Sequence, residues 1–265
     1  MSERLDVELV IRDLARSRSH AASLIGDGRI SVNGRPATKP AQKIQPGDLV
    51  EVSEGVDFVS RAGHKLSHAI DAFGLSVTGQ CIDAGASTGG FTQVLLERGA
   101  TQVLAIDVGH GQLVPELVAD NRVFNLEGLN LRELDRQSLT KAAKVEVSPT
   151  LVVADLSFIS LTLVSTNLAE LGGSAPQVWL IKPQFEVGKH SLSASGVVSS
   201  WNERERSINQ VLDAAKAVGL GLEGLVESPI RGTNGNREYL AHFVPNQSHD
   251  YQLLETIPAI CKSGE

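Results

Sequence analysis

Short apolar runs alternate with segments of helical periodicity from residue 61 to the end of the chain. This alternation is typical of an α/β fold in which helices cover a mainly parallel sheet. A helix is predicted from Asn202 to Val218, because its apolar residues form one stripe and Gly219 ends it. The pattern predicts a doubly wound, Rossmann-like sheet with a final hairpin and strands at residues 80–83, 102–107, 122–126, 150–155, 177–181, 222–228 and 238–244.

The first predicted strand runs into a glycine-rich turn. Glycines at such a turn let the backbone approach a ligand closely, in the crevice where these sheets bind cofactors. Asp107 ends the next predicted strand, where a carboxylate can accept the hydroxyls of an adenosine ribose. A purely structural turn is the alternative interpretation. The pair predicts a nucleoside-cofactor site formed by Asp83, Gly85, Ser87, Thr88, Gly89, Gly90, Phe91 and Asp107.

Residues 1–58 follow a different pattern and predict a small α+β domain. Leu5, Leu9 and Ile11 belong to a short amphipathic helix, and Ser17 is the predicted N-cap of a second helix. The strand 29–32 precedes Asn33-Gly34, a pair that is a strong signal for a hairpin turn. A further strand is predicted at 48–52.

This order resembles the S-four type of RNA-binding domain, named after a small-subunit ribosomal protein. The matching residues include Arg4-Leu5-Asp6, Ser17-Arg18, Val32-Asn33-Gly34 and Pro46-Gly47-Asp48. The resemblance implies contacts with RNA phosphates, which position a protein without reading sequence. Since the whole chain carries a net charge of −7, ordinary solvated surface charges are the alternative. The candidate contacts are Arg4, Arg16, Arg18, Arg29, Arg35, Lys39 and Lys43.

Over essentially its whole length, with an RNA-binding module followed by a catalytic domain, the chain resembles the TlyA family of bacterial ribosomal RNA 2′-O-methyltransferases, some of which are also labelled haemolysins. The resemblance is carried by residues 83–91, 107–113 and 155–160, and by Lys182-Pro183-Gln184-Phe185-Glu186-Val187-Gly188-Lys189. It implies a class I methyltransferase sheet with S-adenosylmethionine as the methyl donor. It further implies that the acceptor is a cytidine ribose, and that the partner is ribosomal RNA or a ribosomal subunit.

The related ribose methyltransferases use a Lys-Asp-Lys-Glu set, which falls here on Lys65, Asp155, Lys182 and Glu238. The resemblance implies that Lys182 takes or aligns the proton of the 2′-hydroxyl, because an alcohol is a poor nucleophile. The two carboxylates would then orient the lysines. An N-cap role is the alternative for Asp155.

Three further residues are predicted around the site. Phe158 is expected to pack against the cofactor, with a place in the core as the alternative. Lys189 and Arg61 are expected to contact RNA, and residues 185–200 to form a mobile loop over the site.

The sequence also predicts what the chain lacks. Cys81 and Cys261 have no spacing typical of a disulfide framework or a zinc site, so no metal is expected. The N-terminus does not have the pattern of a signal peptide, and segment 156–168 is predicted to be a helix packed on the sheet. No stretch is apolar over the roughly 18 residues that a membrane span needs. A cytoplasmic protein is therefore expected, with a monomer as the default.

Two other functions fit parts of the pattern. A base methyltransferase would normally carry an Asn/Asp-Pro-Pro-aromatic motif after the fourth strand, whereas this chain has Asp155-Leu156-Ser157-Phe158 without proline. A ribosome-binding or haemolysin-type protein with a vestigial methyltransferase pocket is the non-enzymatic alternative.

Overall fold

The computed structural model describes residues 2–15, 17–26, 29–53 and 58–263. The chain divides into two compact units, Met1–Arg61 and Ala62–Glu265. Arg16, a candidate RNA contact, lies outside the described residues.

The first unit combines two helices with short antiparallel strands. Its elements are β1 (Glu3–Arg4), α1 (Leu5–Ile11), α2 (Arg18–Gly26), β2 (Ile30–Val32), β3 (Arg35–Pro36), β4 (Lys43–Ile44) and β5 (Val50–Val52). Strand β1 pairs with β4, while β2 lies between β3 and β5. The helices bury Leu5, Leu9, Leu24 and Ile25 against Ile30 of the sheet, which gives this unit its own hydrophobic core.

Local signals in this unit are confirmed by hydrogen bonds. The Ser17 hydroxyl accepts the N–H of His20 at 3.1 Å, as an N-cap does. Asn33-Gly34 forms the turn between β2 and β3, with both residues at positive φ. The strand predicted from residue 48 begins at Val50 instead, because the Asp48 carboxylate accepts the N–H of Gln45 at 2.7 Å and closes a turn.

The second unit alternates strands and helices along the chain. Its elements are α3 (Ala62–Phe73), β6 (Gln80–Ala84), α4 (Gly90–Arg98), β7 (Gln102–Asp107), α5 (Pro115–Val118), β8 (Val123–Glu127), α6 (Arg136–Ala143), β9 (Pro149–Ala154), α7 (Ser165–Gly172), β10 (Gln177–Ile181), α8 (Pro183–Glu186), α9 (Trp201–Ala217), β11 (Leu220–Glu227), β12 (Tyr239–Pro245) and α10 (Tyr251–Lys262). The fold class expected from the sequence is confirmed, and the predicted strands and long helix agree with these bounds to within two residues.

The strands of this unit form one sheet in the order β11-β12-β10-β9-β6-β7-β8. Strands β6 to β10 pair in parallel, while β12 runs antiparallel to both β10 and β11. Tyr239 at the start of β12 is therefore paired with Ile181 at the end of β10. This reversal brings the residue before β12 to the edge where the parallel strands end.

The helix predicted over 156–168 is wrong in its first half. Residues 156–160 form an irregular turn, followed by a 3-10 turn at Leu161–Leu163 and then by α7. The Ser160 hydroxyl accepts the N–H of Thr162 at 3.2 Å, so regular helix begins only after Ser160. Across the residues that the structure describes, no helix has both the length and the apolar character required to cross a bilayer.

Candidate active site

A cavity of about 550 Å³ opens where strands β6, β7 and β9 end. Its volume lies in the range usual for cofactor sites. Four of the predicted cofactor residues, Gly85, Ser87, Asp107 and Phe158, line this cavity. The other lining residues are Ala84, Ile106, Val108, Gln112, Leu129, Asn130, Leu131, Asp155, Leu156, Ser157 and Ile159.

Two positions of the turn after β6 require glycine. Gly85 has φ +90°, and a Cβ placed there would lie 2.5 Å from the carbonyl oxygen of Asp155. Gly89 has φ +101°, and a Cβ there would lie 2.2 Å from a methyl carbon of Leu117. Any larger residue would push the turn away from its neighbours. The glycines thus bring the backbone of the turn against the cavity.

The Asp107 carboxylate holds the turn and still has acceptor capacity. Its Oδ2 accepts the N–H of Ser87 at 2.8 Å, and its Oδ1 accepts the N–H of Gly109 at 2.7 Å. A carboxylate offers about four lone-pair sites, so both oxygens can accept further hydrogen bonds from a ligand. Asp107 therefore fits a ribose diol in the cavity that it lines.

The remaining predicted cofactor residues lie behind the cavity wall. Asp83 is fully buried and accepts a hydrogen bond from the Thr92 hydroxyl at 2.6 Å. Burial raises the pKa of the Asp83 carboxyl to about 7. Phe91 is 2% exposed in the core, Gly90 begins α4, and the Thr88 carbonyl accepts the N–H of Val114. These residues shape the turn from behind.

The four predicted catalytic residues form two ion pairs. Lys182 follows β10 directly, and its Nζ lies 2.6 Å from Oδ1 of Asp155, which follows the neighbouring strand β9. The same Nζ donates to the Ser157 hydroxyl at 2.8 Å. Lys65 on α3 places its Nζ 2.5 Å from Oε2 of Glu238. Both lysines are largely buried, so each needs its partner to offset desolvation.

Glu238 is held from three sides. Besides Lys65, the side-chain amide of Gln184 donates to its Oε1 at 3.1 Å. Gly232 packs against the carboxylate so closely that a Cβ there would lie 2.0 Å from Oε1. A large residue at position 232 would therefore displace Glu238 from Lys65.

Two aromatic residues stand beside the Lys182–Asp155 pair. Phe158 is 92% exposed and has φ +65°, which few non-glycine residues adopt. Its ring lies 5.3 Å from that of Phe185, centroid to centroid, and Lys182 Nζ lies 5.8 Å from the Phe185 centroid. The alternative of a core role for Phe158 is therefore wrong. Segment 185–200 contains the end of α8 and a 3-10 turn at Lys189–Ser191.

The predicted RNA contacts are spread over the first unit, apart from Lys189, whose side chain lies outside the described residues. Arg4 and Arg18 both donate to Asp6. Arg29 donates to the carbonyl of Ser53, and Arg35 and Arg61 are exposed.

Several site residues were missed by sequence reasoning. Gln112 and Asn130 line the cavity, and Gln184 and Glu186 stabilise the loops around the ion pairs. Gln184 and Glu186 stand in the motif that begins at Lys182, which was the available signal. Gln112 stands in segment 107–113, which carries the family resemblance, whereas Asn130 follows a strand without any distinctive pattern.

Residues 58–244 match the FtsJ-like methyltransferase family, and residues 3–50 match the S4 domain. A relative from Mycobacterium tuberculosis, named 16S/23S rRNA (cytidine-2′-O)-methyltransferase TlyA, is 46% identical over 240 residues, which cover 89% of this chain and 87% of the relative. Hemolysin A of Brachyspira hyodysenteriae is 40% identical, covering 91% of this chain and 99% of that protein.

A solved structure of a hemolysin candidate from Streptococcus thermophilus has a similar fold. Its TM-score is 0.75 at 36% identity, and the match covers 98% of this chain and 94% of the other. Both domain matches, the identities and the shared architecture lead to one assignment. The chain belongs to the FtsJ-like methyltransferases and, within them, to the TlyA family.

Proposed function

We propose that this protein transfers a methyl group from S-adenosylmethionine to the 2′-hydroxyl of a cytidine in ribosomal RNA. The observation that carries the proposal is the position of Asp155, which lines the cavity and pairs with the buried Lys182. A lysine–carboxylate pair of this kind can accept or align a proton beside a bound cofactor. The relatives named as ribosomal RNA cytidine 2′-O-methyltransferases indicate the acceptor.

The cavity fits S-adenosylmethionine in chemistry. The Asp107 carboxylate would accept the ribose hydroxyls, while Ile106, Val108 and Leu131 offer apolar surface to the adenine ring. The Gly85 turn would let the backbone approach the rest of the molecule. When bound, the cofactor supplies a methyl group activated on a sulfonium. Phe158, which lines the same cavity, would close its outer side.

The side chains of the two ion pairs would then orient the acceptor ribose and accept its hydroxyl proton. For the ribose oxygen to accept a methyl group from the bound cofactor, the proton of the 2′-hydroxyl would have to be removed. We assign its acceptance or alignment to Lys182, which Asp155 and Ser157 hold in place. Lys65 and Glu238, fixed by Gln184, would orient the ribose.

RNA would be bound chiefly by the first unit. We propose residues 1–58 as the RNA-binding domain and residues 59–265 as the methyltransferase domain. Ribosomal RNA or a ribosomal subunit would be the partner, which implies a cytoplasmic site of action. Deletion of residues 1–58 should leave cofactor affinity nearly unchanged and sharply lower rRNA affinity. Equal rRNA affinity of the truncated and full chains would contradict this division.

Mass mapping of ribosomal RNA provides the direct test of the reaction. RNA from cells lacking the gene is treated with the purified protein and S-adenosylmethionine, digested, and compared with untreated RNA. We expect a gain of one methyl group on a cytidine ribose, and no gain with the Lys182→Ala variant. Methylation of a base, or none by a protein that binds the cofactor, would reject the proposal.

A further inference from the structure

The first unit contains a buried carboxylate shared by two arginines. Asp6 lies in the first turn of α1, and its side chain is only 6% exposed. Arg4 donates from Nε to Oδ1 at 2.9 Å and from Nη2 to Oδ2 at 3.0 Å. Arg18, at the start of α2, donates from Nη2 to Oδ2 at 2.9 Å. These three residues are called the arginine fork below.

Both arginines keep most of their donors after binding Asp6. Each donates one N–H from Nε and one from Nη2 to Asp6, which uses two of the five N–H donors of a guanidinium. Within the described part of the chain, three donors on each arginine, including both on Nη1, are therefore left for another acceptor. The side chains that carry them are 39% exposed for Arg4 and 63% exposed for Arg18.

A third cation stands beside the fork. Lys43 on β4 is directly opposite Arg4 on β1 in the antiparallel pair, and it is exposed. Like charges directly opposite each other in such a pair cost stability. Lys43 thus adds a cation next to Arg4, which also interacts with the carboxylate of Glu3, and an anion bound beside these cations would reduce the repulsion between them.

We propose that Asp6 is a positioning residue for the RNA-phosphate contacts expected of Arg4 and Arg18, because it fixes both guanidinium groups before RNA arrives. The inference rests on the proposed function, since it assumes that the first unit binds RNA. Arginine binds phosphate oxygens through paired, charge-assisted hydrogen bonds. Side chains already fixed in one conformation lose less entropy when the phosphate binds.

The Asp6 carboxylate is charged wherever RNA binding is measured. Hydrogen bonds from Arg4, and then from Arg18, lower its pKa to about 2. The fork therefore keeps its geometry from mildly acidic to alkaline pH. A change in RNA affinity with pH in this range would have to come from other groups.

The charge of Asp6 and its proposed positioning role predict opposite effects on RNA affinity when the carboxylate is removed. Removal of a carboxylate from an RNA-binding surface should by charge alone strengthen binding, because one less negative charge repels the phosphates. Loss of a positioning residue should instead weaken binding, since the arginines become mobile. Asp6→Asn keeps the size of the side chain while removing its charge, so it separates the two effects.

The test measures binding of the full chain to purified 16S and 23S ribosomal RNA over a range of KCl concentrations. Asp6→Asn is compared with Glu8→Gln, which removes another carboxylate of α1; Glu8 lies 2.8 Å from its partner Arg12, the residue that follows the helix. We expect Asp6→Asn to weaken binding by about tenfold, the effect of losing a charge-assisted contact. Glu8→Gln should leave affinity unchanged or raise it.

A double-arginine background excludes loss of folding as the cause. In Arg4→Ala/Arg18→Ala, the additional Asp6→Asn change should alter affinity by less than about twofold, because Asp6 then has no arginine to position. A further large loss there, or wild-type or tighter binding by the single Asp6→Asn variant, would overturn the inference. If the wild-type chain binds neither RNA, the proposed function fails; if it binds and methylates but Arg4→Ala/Arg18→Ala has no effect, only the fork is rejected.

Discussion

The Glu186 carboxylate, at the end of α8, accepts the backbone N–H of Leu161 at 2.9 Å and also a hydrogen bond from the Ser160 hydroxyl. This contact joins the loop after β9, which carries Asp155, to the loop after β10, which begins at Lys182. Burial raises the pKa of the Glu186 carboxyl. The Lys182–Asp155 ion pair is thus supported by a second contact between the same two loops.

Replacement of Glu186 should loosen this link. We expect Glu186→Ala to lower the free energy of unfolding by about 1–3 kcal/mol, because the N–H of Leu161 loses its acceptor. Turnover should fall by roughly tenfold as Lys182 and Asp155 lose alignment. Glu186→Gln is the matched control, since its amide oxygen can still accept from Leu161. Equal turnover of the Ala and wild-type proteins, measured by methyl incorporation into rRNA, would show that the link is not needed.

Asp107 should determine cofactor affinity. Asp107→Ala removes the acceptor proposed for the ribose hydroxyls, and we expect S-adenosylmethionine binding to weaken by about 1–3 kcal/mol. Isothermal calorimetry measures this directly. Asp120→Ala serves as control, because Asp120 pairs with Arg122 and does not line the cavity. The proposed cofactor position is ruled out if the two variants bind with the same affinity.

Lys182 should be required for transfer but not for cofactor binding. A general base contributes roughly 10²–10⁴-fold to the rate, so Lys182→Ala should lower the rate of methyl transfer by at least about 10²-fold. Lys182→Arg should not restore activity, because a guanidinium cannot be deprotonated in proteins. Asp155→Asn and Glu238→Gln keep shape and remove charge, so they report on electrostatics. Turnover near the wild-type value by Lys182→Arg would leave Lys182 with an electrostatic role alone.

Asp83 should make the protein less stable at alkaline pH. Its pKa is about 7 in the folded protein, against an ordinary value of 3.8 for an aspartate in the unfolded chain, so the folded chain binds the proton more tightly. The contribution that tighter proton binding by Asp83 makes to the free energy of unfolding is fully present below about pH 4 and is lost as pH rises through about 7. Asp83→Asn, which is neutral throughout, should therefore gain stability relative to wild type between about pH 5 and pH 8. Urea titrations of both proteins at about pH 5 and about pH 8 test this prediction. It would be contradicted if the free energy of unfolding of the wild type rose relative to that of Asp83→Asn as pH increases.

Asp107 was predictable because strand ends of a parallel sheet converge at one edge, and Lys182 was indicated by the family resemblance. The link between Gln184 and Glu238 was not predictable, since the two residues are 54 positions apart and meet only because β12 pairs antiparallel with β10. Nothing in the sequence around Phe158 indicated that its φ would be positive. Asp6 also gave no sign of its role, because its contact with Arg18 depends on how α1 packs on α2.

The strand that follows Glu238 comes late in the chain but lies between β11 and β10. Chains are synthesised from the N-terminus, so β6 to β10 can leave the ribosome and pair while Lys65 still has no partner. A nascent chain could then have its glycine turn and Asp107 in place and yet be unable to methylate. Under the role proposed for Glu238, activity would begin only when the final hairpin inserts, so the site is completed by a strand that is synthesised after all of the parallel strands β6 to β10.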